Sequence, residues 1–139
     1  AATNAPWDVD PALRRPGRLD RTIPVLPPDE PARLAILQHH LANRPVGSVD
    51  LPALARRTRG HTGADLAHVC ETAAERALMS SIRSGVTRAI EQADLVEALR
   101  EVKPSAGGWF DIARNVVEYA DRSGEYADLR AYMKREKLL

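Results

Sequence analysis

One stretch of helical periodicity constrains this chain more than any other feature. Between Thr62 and Leu78, apolar residues recur at the spacing that places them on one face of an α-helix. Thr62 and Asp65 occupy the two positions of a capping box, so the helix is predicted to begin at Thr62. Many of the apolar positions are alanines, which let a neighbouring helix approach closely but bury little surface each. They are Leu66, Val69, Cys70, Ala73, Ala74, Ala77 and Leu78.

Shorter helices are predicted on both sides of this one. Asp29 or Glu30 can cap a first helix, and Asp50 can cap a short second helix that Gly60 ends. A further helix follows the long one and is stopped by Pro104. These helices together predict a small bundle. Its expected inward residues outside the long helix are Leu34, Leu37, Leu41, Leu51, Leu54, Ala55, Leu95, Ala98, Leu99 and Val102.

The two ends of the chain differ from this helical middle. Before Pro28, prolines interrupt regular structure, and we expect a short helix near residues 11–14 and an edge strand at residues 22–26. Five of the six aromatic residues lie in the last 31 residues, where we expect two helices separated at residues 123–124. These aromatic side chains need a surface to pack on, which is either the core of the bundle or an interface elsewhere.

Composition restricts the class of protein. The chain has 139 residues, of which 44% are hydrophobic, and its 20 basic and 19 acidic residues leave a net charge of +1. This length is enough for a single folded domain with its own core. Because no basic stripe is sustained, we expect no nucleic-acid partner. No apolar run approaches the ~20 residues of a membrane span and no secretory signal begins the chain, so we expect a cytoplasmic protein.

The sequence also excludes two kinds of site. A phosphate-binding P-loop ends in Gly-Lys followed by Ser or Thr, and the first lysine of this chain is Lys103, which proline follows. The chain alone is therefore predicted to be inactive as an ATPase, and we expect it to be a piece of a longer protein. The single cysteine, Cys70, lies on the helical stripe and is expected to be buried, and the histidines show no zinc-binding spacing. No metal site is predicted.

The most specific signal is a series of short motifs in one order. It begins with residues 2–21, which contain Arg15-Pro16-Gly17-Arg18, continues through Gly63-Ala64-Asp65-Leu66, and ends with Val102-Lys103-Pro104-Ser105. Over roughly residues 1 to 106, this series resembles the second region of homology and the helical lid of the classical AAA ATPases, within the AAA+ superfamily. Several motifs in one register are much more specific than any single one.

The resemblance implies a mainly α fold in three parts. Residues 1–28 would be the C-terminal edge of an α/β P-loop ATPase subdomain, residues 29–106 a helical-bundle lid, and residues 107–139 a C-terminal helical tail. The subfamily stays open. Pro6-Trp7 is similar to the microtubule-severing and vacuolar-sorting branch, whereas Arg-Pro-Gly-Arg is similar to the valosin-containing and proteasomal branches.

The resemblance also implies roles in ATP hydrolysis for three residues near the start of the chain. Asn4 matches sensor 1, which helps to place the attacking water beside the γ-phosphate, and a carboxamide can donate and accept hydrogen bonds there. Arg15 and Arg18 match two arginine fingers that reach the nucleotide site of a neighbouring subunit. Arg14 stands where the family often has an apolar residue, and we expect it to be a surface arginine whose ion pairs contribute little.

Three lid residues match positions near the nucleotide. His40 matches a histidine that contacts the base or ribose, and Gly63 and Ala64 match the start of the lid helix that approaches the nucleotide. Ala64 occupies the sensor-2 position, where other AAA+ branches place an arginine. The resemblance therefore assigns the sensing of phosphate charge to the neighbour's Arg15 and Arg18.

For the complete ATPase, the resemblance implies ATP with Mg²⁺ as cofactor, with the Mg²⁺ ligands outside this chain. It also implies a homo-oligomer, in the family a hexameric ring, that remodels or unfolds a protein substrate. Two other interpretations stay open. One is a non-catalytic helical interaction module that presents the aromatic tail to a partner. The other is a helix-turn-helix DNA binder built from residues 50–78, which the near-neutral charge disfavours.

Overall fold

The structure is a computed structural model that describes residues 1–121 and 124–139. Over these residues it is mainly helical, so the predicted mainly α fold class is confirmed. A 3₁₀ turn at Pro6–Asp8 comes first, and a π-helical turn at Val116–Ala120 continues the fifth helix. The α-helices are α1 (Glu30–Leu41), α2 (Leu51–Arg57), α3 (Gly63–Ser84), α4 (Gln92–Glu101), α5 (Gly107–Asn115) and α6 (Ala127–Arg135).

The chain forms two compact units. The helical unit is Pro27–Gly108, and the terminal unit is Ala1–Leu26 together with Trp109–Leu139. None of the described helices is long and apolar enough to cross a membrane.

The helix starts of the helical unit follow the capping signals in the sequence. Asp29 caps α1 by accepting a hydrogen bond from the Ala32 amide at 2.9 Å, and Asp50 caps α2 through the Ala53 amide at 2.8 Å. At α3 both halves of the predicted capping box are present between Thr62 and Asp65. Each cap satisfies backbone N–H groups that the first turn of a helix leaves unpaired.

The core of the helical unit lies where α3 packs on α1 and α4, and where α1 packs on α2. Leu37, Leu54, Leu66 and Leu95 are fully buried in it. The expectation that Leu78 faces the core is wrong, since its side chain is 60% exposed. The reason is length: α3 has 22 residues whereas α1 and α4 have 12 and 10, so the last turns of α3 extend past their partners.

Two loops of the helical unit are joined by a short parallel β-bridge between Val46 and Ile90. The Gly47 amide donates to the Ile90 carbonyl oxygen at 2.9 Å, and the Ile90 amide donates to the Pro45 carbonyl oxygen at 2.8 Å. Ile90 is only 2% exposed. The bridge therefore ties the α1–α2 loop to the α3–α4 loop beside the core.

Two predictions for the first 26 residues are wrong. Residues 11–14 form hydrogen-bonded turns instead of a helix, with the Leu13 amide donating to the Asp10 carbonyl oxygen at 2.9 Å. Residues 22–26 form no strand, and the side chains of Ile23 and Val25 are 81% and 95% exposed. A strand needs the backbone of a partner strand, and the described residues of the terminal unit offer none.

The C-terminal tail supplies the buried side chains of the terminal unit. The rings of Phe110 on α5 and Tyr132 on α6 stack with centroids 5.7 Å apart, and the Trp7 and Trp109 rings lie 5.8 Å apart. Helices are present on both sides of the predicted break, but Ser123 itself lies outside the described residues. The buried residues of this unit are Phe110, Ala113, Val117, Tyr126, Leu129, Tyr132 and Met133.

Candidate functional site

A tight turn separates the two arginines that the sequence singled out. The Arg18 amide donates to the Arg15 carbonyl oxygen at 3.1 Å, which closes a four-residue turn. Pro16 is its second residue and Gly17, with φ +84°, its third, as a type II turn requires. Any residue with a Cβ would be strained at Gly17. The Pro-Gly pair therefore fixes the offset between Arg15 and Arg18.

Both arginine side chains of this turn are exposed. The Arg18 Nη1 atom donates to the Ala12 carbonyl oxygen at 3.0 Å, and the Leu19 amide closes the loop by donating to the Leu13 carbonyl oxygen at 2.8 Å. A guanidinium group is planar, permanently charged and able to donate several hydrogen bonds at once. The turn thus carries two exposed cations on a fixed backbone, and these can bind a phosphate or carboxylate of another molecule.

Asn4 lies in the same compact unit as this turn. It is exposed and precedes the 3₁₀ turn at Pro6–Asp8. Its backbone carbonyl oxygen accepts a hydrogen bond from the Trp109 indole N–H. The tail thus fixes the backbone at Asn4 and leaves its carboxamide exposed.

Of the three predicted lid residues, Gly63 and Ala64 begin α3 and His40 lies on α1. Gly63 is the first residue of α3, and the Ile36 Cδ1 atom is 3.9 Å from where a Cβ at Gly63 would stand. His40 follows Ile36 by four residues and so lies on the same face of α1, where it is half-buried with its ring edge-on to that of His39. Ala64 is exposed. The structure therefore brings Ile36 of α1 to the start of α3, and His40 lies one helical turn further along α1.

The segment that follows α4 is hydrogen-bonded to this same start of α3. The sequence did not predict these contacts. The His61 Nε2 atom lies 3.2 Å from the Val102 carbonyl oxygen, and the Ser105 amide donates to the Asp65 carboxylate at 3.1 Å. Burial raises the pKa of Asp65, but the hydrogen bonds from Thr62 and Ser105 outweigh it and leave that pKa below its ordinary value. The sequence predicted Asp65 only as a helix cap, because local patterns cannot predict a hydrogen bond to Ser105, 40 residues away.

Comparison with known proteins identifies the family. The model of the AAA+ lid domain family matches residues 48–97. A cell division cycle protein 48 homolog from Archaeoglobus fulgidus is 41% identical, over 76% of this chain and 16% of the relative. The chain belongs to the AAA ATPases. Within that family it corresponds to the C-terminal part that contains the lid.

Two further relatives match a similar share of the chain. An ATPase family gene 2 protein homolog B from Mus musculus is 42% identical over 76% of this chain, and protein SAV from Sulfolobus acidocaldarius is 40% identical over 83% of it. The chain spans between 14% and 16% of the length of these relatives. The matched lid model covers α2, α3 and part of α4, whereas Asn4, the arginine turn and His40 lie outside it.

A buried arginine ties two helices of the AAA lid together, and its role was also missed. Arg33 on α1 is 6% exposed, and its guanidinium donates to the carbonyl oxygens of Ala55 and Pro28 at 3.0 Å each. It also donates to the Thr58 hydroxyl at 3.3 Å. Carbonyl and hydroxyl oxygens thus satisfy a cation that would otherwise be costly to bury. The sequence did contain a signal for its burial: Arg33 lies four residues before Leu37 and therefore on the inward face of α1.

A second arginine of the lid pairs with a buried carboxylate. Arg88 donates to both oxygens of Asp94, at 2.6 and 2.9 Å, and Asp94 is 7% exposed. The hydrogen bonds from Arg88 hold the pKa of Asp94 below its ordinary value, against the opposing effect of burial. Asp94 also accepts from the Glu91 amide at the start of α4. This pair therefore fastens the α3–α4 loop to the first turn of α4.

The lid cysteine is buried, as predicted. Burial raises the pKa of the Cys70 thiol to about 11, so the reactive thiolate is scarce near neutral pH. Among the residues that the structure describes, no three or more His, Cys, Asp or Glu side chains are grouped so that they could hold a metal ion.

Proposed function

We propose that this chain supplies the arginine fingers, sensor 1 and nucleotide lid of an AAA ATPase that uses ATP hydrolysis to remodel or unfold protein substrates. One observation carries the proposal. The Arg15-Pro16-Gly17-Arg18 turn is closed by its own hydrogen bond, and both of its arginine side chains are exposed, with the Arg18 guanidinium also donating to the Ala12 carbonyl oxygen. A rigid, exposed pair of arginines suits a group that must reach another subunit.

The chemistry favours arginine at both positions. Charge on a transferring phosphoryl group is spread over several oxygens, and a planar cation can donate to more than one of them. In GTPases, an arginine finger of this kind raises the rate of nucleotide hydrolysis by a factor of ~10³ to 10⁵. A finger that acts on a neighbour requires head-to-tail contacts, and such contacts close into rings. On the family resemblance we propose a ring of six copies.

The remaining site residues would act on the chain's own nucleotide. The exposed Asn4 carboxamide can orient a water without adding negative charge, and His40 would contact the base or ribose. Gly63 and Ala64 would approach the nucleotide at the start of α3, where backbone N–H groups favour an anion. Bound ATP with Mg²⁺ supplies the transferred phosphoryl group and its metal. We assign the Mg²⁺ ligands to Walker motifs outside the residues described.

The assembly that we propose is cytoplasmic, with a protein as its substrate. Hydrolysis would change the angle between the lid and the preceding nucleotide-binding subdomain, and that motion would drive the remodelling. In this account the helical unit transmits movement and the terminal unit supplies the groups that trigger it.

The test is steady-state ATP turnover by the complete ATPase chain that contains this segment, with Arg15→Ala and Arg18→Ala made separately. We expect turnover to fall by about 100-fold or more, because each variant removes a cation from the transition state. ATP affinity, measured by equilibrium binding, should change little, since the fingers act on another subunit's site. Arg56→Ala, at an exposed arginine of α2, is the matched control and should leave turnover unchanged.

Normal turnover by both variants would contradict the proposal. The family membership would then describe the fold alone, and the interpretation as a helical interaction module would replace the catalytic one.

A further inference from the structure

The described part of the tail contacts the first 26 residues through two polar contacts that lie apart from each other. The first is the hydrogen bond from the Trp109 indole to the Asn4 carbonyl oxygen, beside the Trp7 ring. The second is an ion pair, in which Arg14 Nη1 donates to the two carboxylate oxygens of Glu125 at 3.0 and 2.8 Å. Asn4 is the predicted sensor 1, and Arg14 is the residue immediately before the predicted finger Arg15.

The ion pair is supported by its surroundings. The side chains of Arg14 and Glu125 are only 28% and 31% exposed. The Thr22 hydroxyl also donates to Glu125, at 3.4 Å, and the buried Tyr126 lies beside the Arg14 guanidinium. The pair joins residues that are 111 positions apart in the chain. It is therefore a long-range contact within a polar cluster, whereas Arg14 was expected to be a surface arginine whose ion pairs contribute little.

Arg14 is also part of the loop that carries the finger turn. Its amide donates to the Pro11 carbonyl oxygen at 3.2 Å, and the Leu19 amide closes the loop on the neighbouring Leu13 carbonyl oxygen. Holding the Arg14 side chain thus restrains the backbone from which Arg15 and Arg18 project.

We propose that Glu125 holds Arg14 as a positioning residue, so that the C-terminal tail sets the placement of the Arg15–Arg18 turn. This inference rests on the proposed function, because it assigns the tail to the same trans-acting arginines. Through this ion pair the tail controls how well this chain activates its neighbour, because the pair lies beside Arg15 and does not involve Asn4. Any partner or modification that separates Glu125 from Arg14 would weaken that activation.

The expected effect is moderate and selective. A partly exposed ion pair can shift the population of one loop position by a few-fold, so Glu125→Gln should lower kcat by about 5-fold. The KM for ATP should not change, because the variant removes a contact made neither to nucleotide nor to the lid. A role in folding alone would instead lower the thermal midpoint and leave the kcat of the folded protein unchanged.

The experiment measures kcat, KM and thermal midpoint of the complete ATPase with Glu125→Gln, Arg14→Gln and the charge-swapped pair Arg14→Glu with Glu125→Arg. We expect both single variants to lower kcat equally and the swapped pair to recover at least half of the loss. Glu118→Gln is the matched control, since Glu118 is an exposed glutamate of the same tail. It should behave as the unmodified protein does.

Arg15→Ala separates failure of this inference from failure of the proposed function. If Arg15→Ala abolishes turnover but Glu125→Gln leaves kcat unchanged, the positioning role alone is wrong. The same conclusion follows if the swapped pair recovers nothing, or if kcat falls only in step with the folded fraction. If Arg15→Ala itself turns over ATP normally, both proposals fail together.

Discussion

The helical unit and the terminal unit are built in different ways. The helical unit has a continuous core from α1 to α4 and capped helix starts, and its buried Arg33 and Asp94 side chains each make several hydrogen bonds. In the terminal unit, none of residues 1–26 is buried, and every buried side chain comes from the tail. The segment that bears Asn4, Arg15 and Arg18 is therefore held by turns and by contacts to the tail.

This difference shows that the residues that stabilise the fold and the residues predicted to act on nucleotide lie mostly in different units. The lid can be fastened by its own packing, since its helices bury apolar faces against each other. The loop that bears Arg15 and Arg18 has exposed cations and little apolar surface to bury, so its position depends on a few polar contacts. Substitutions in the two units should accordingly change different quantities.

The largest expected effect on stability is in the core of the lid. Leu66→Ala, at a fully buried residue of α3, should lower the free energy of unfolding by about 2 to 5 kcal/mol. Leu78→Ala on the same helix should cost no more than about 0.5 kcal/mol, because that side chain is 60% exposed. Chemical denaturation of the chain, followed by its helical signal, measures both. Equal losses would show that the end of α3 is covered.

A smaller loss is expected at Arg33. Arg33→Ala should lower the free energy of unfolding by about 1 to 3 kcal/mol, because the Pro28 carbonyl loses its donor and the buried stem of the side chain leaves a cavity. Arg33→Lys should recover only part of the loss, since an ammonium group cannot donate in the fork geometry of a guanidinium. Urea denaturation tests this, with the exposed Arg56→Ala as control. Full recovery by lysine would contradict the assigned contacts.

The smallest predicted loss depends on pH. The folded pKa of Asp94 is lowered, so its pairing with Arg88 contributes stability above the unfolded pKa of about 4 and loses it as pH falls through the folded value. Asp94→Asn should therefore lower the free energy of unfolding by roughly 1 kcal/mol at pH 7, and the difference should shrink below about pH 4. Asp65, whose pKa is also lowered, keeps part of the acid dependence in the variant.

Denaturation at pH 7 and at pH 3 checks this, with Glu71→Gln as an exposed control on α3. A difference between the variant and the unmodified chain that stays constant over this pH range would contradict the role given to the pair.

The sequence predicted the lid well because its signals are local. Asp29, Asp50 and Thr62 mark helix starts within three residues of the amides that they accept from. Periodicity correctly predicted that Leu37, Leu66 and Leu95 are in the core. It could not predict that α3 is longer than its neighbours, so Leu78 was wrongly predicted to be buried. Periodicity describes one helix, whereas burial also depends on where the partner helices end.

The candidate site was less predictable. The turn at Pro16-Gly17 depends on local signals alone, because proline and glycine fix the backbone locally. The prediction of a strand at residues 22–26 was wrong because strand pairing requires a second segment. The Arg14–Glu125 ion pair was not predicted because 111 positions separate its members. The roles of Asn4, Arg15, Arg18, His40, Gly63 and Ala64 came from the order of family motifs, and they stay predictions.

The most direct test of the account mixes two defective subunits of the complete ATPase. One carries Arg15→Ala with an intact nucleotide site, and the other has intact arginines with its Walker B carboxylate replaced, so that neither turns over ATP alone. If Arg15 acts in trans, mixed rings should regain turnover as the second subunit places its finger in the site of the first. If mixing restores nothing although mixed rings form, Arg15 does not act on a neighbour, and the central claim is wrong.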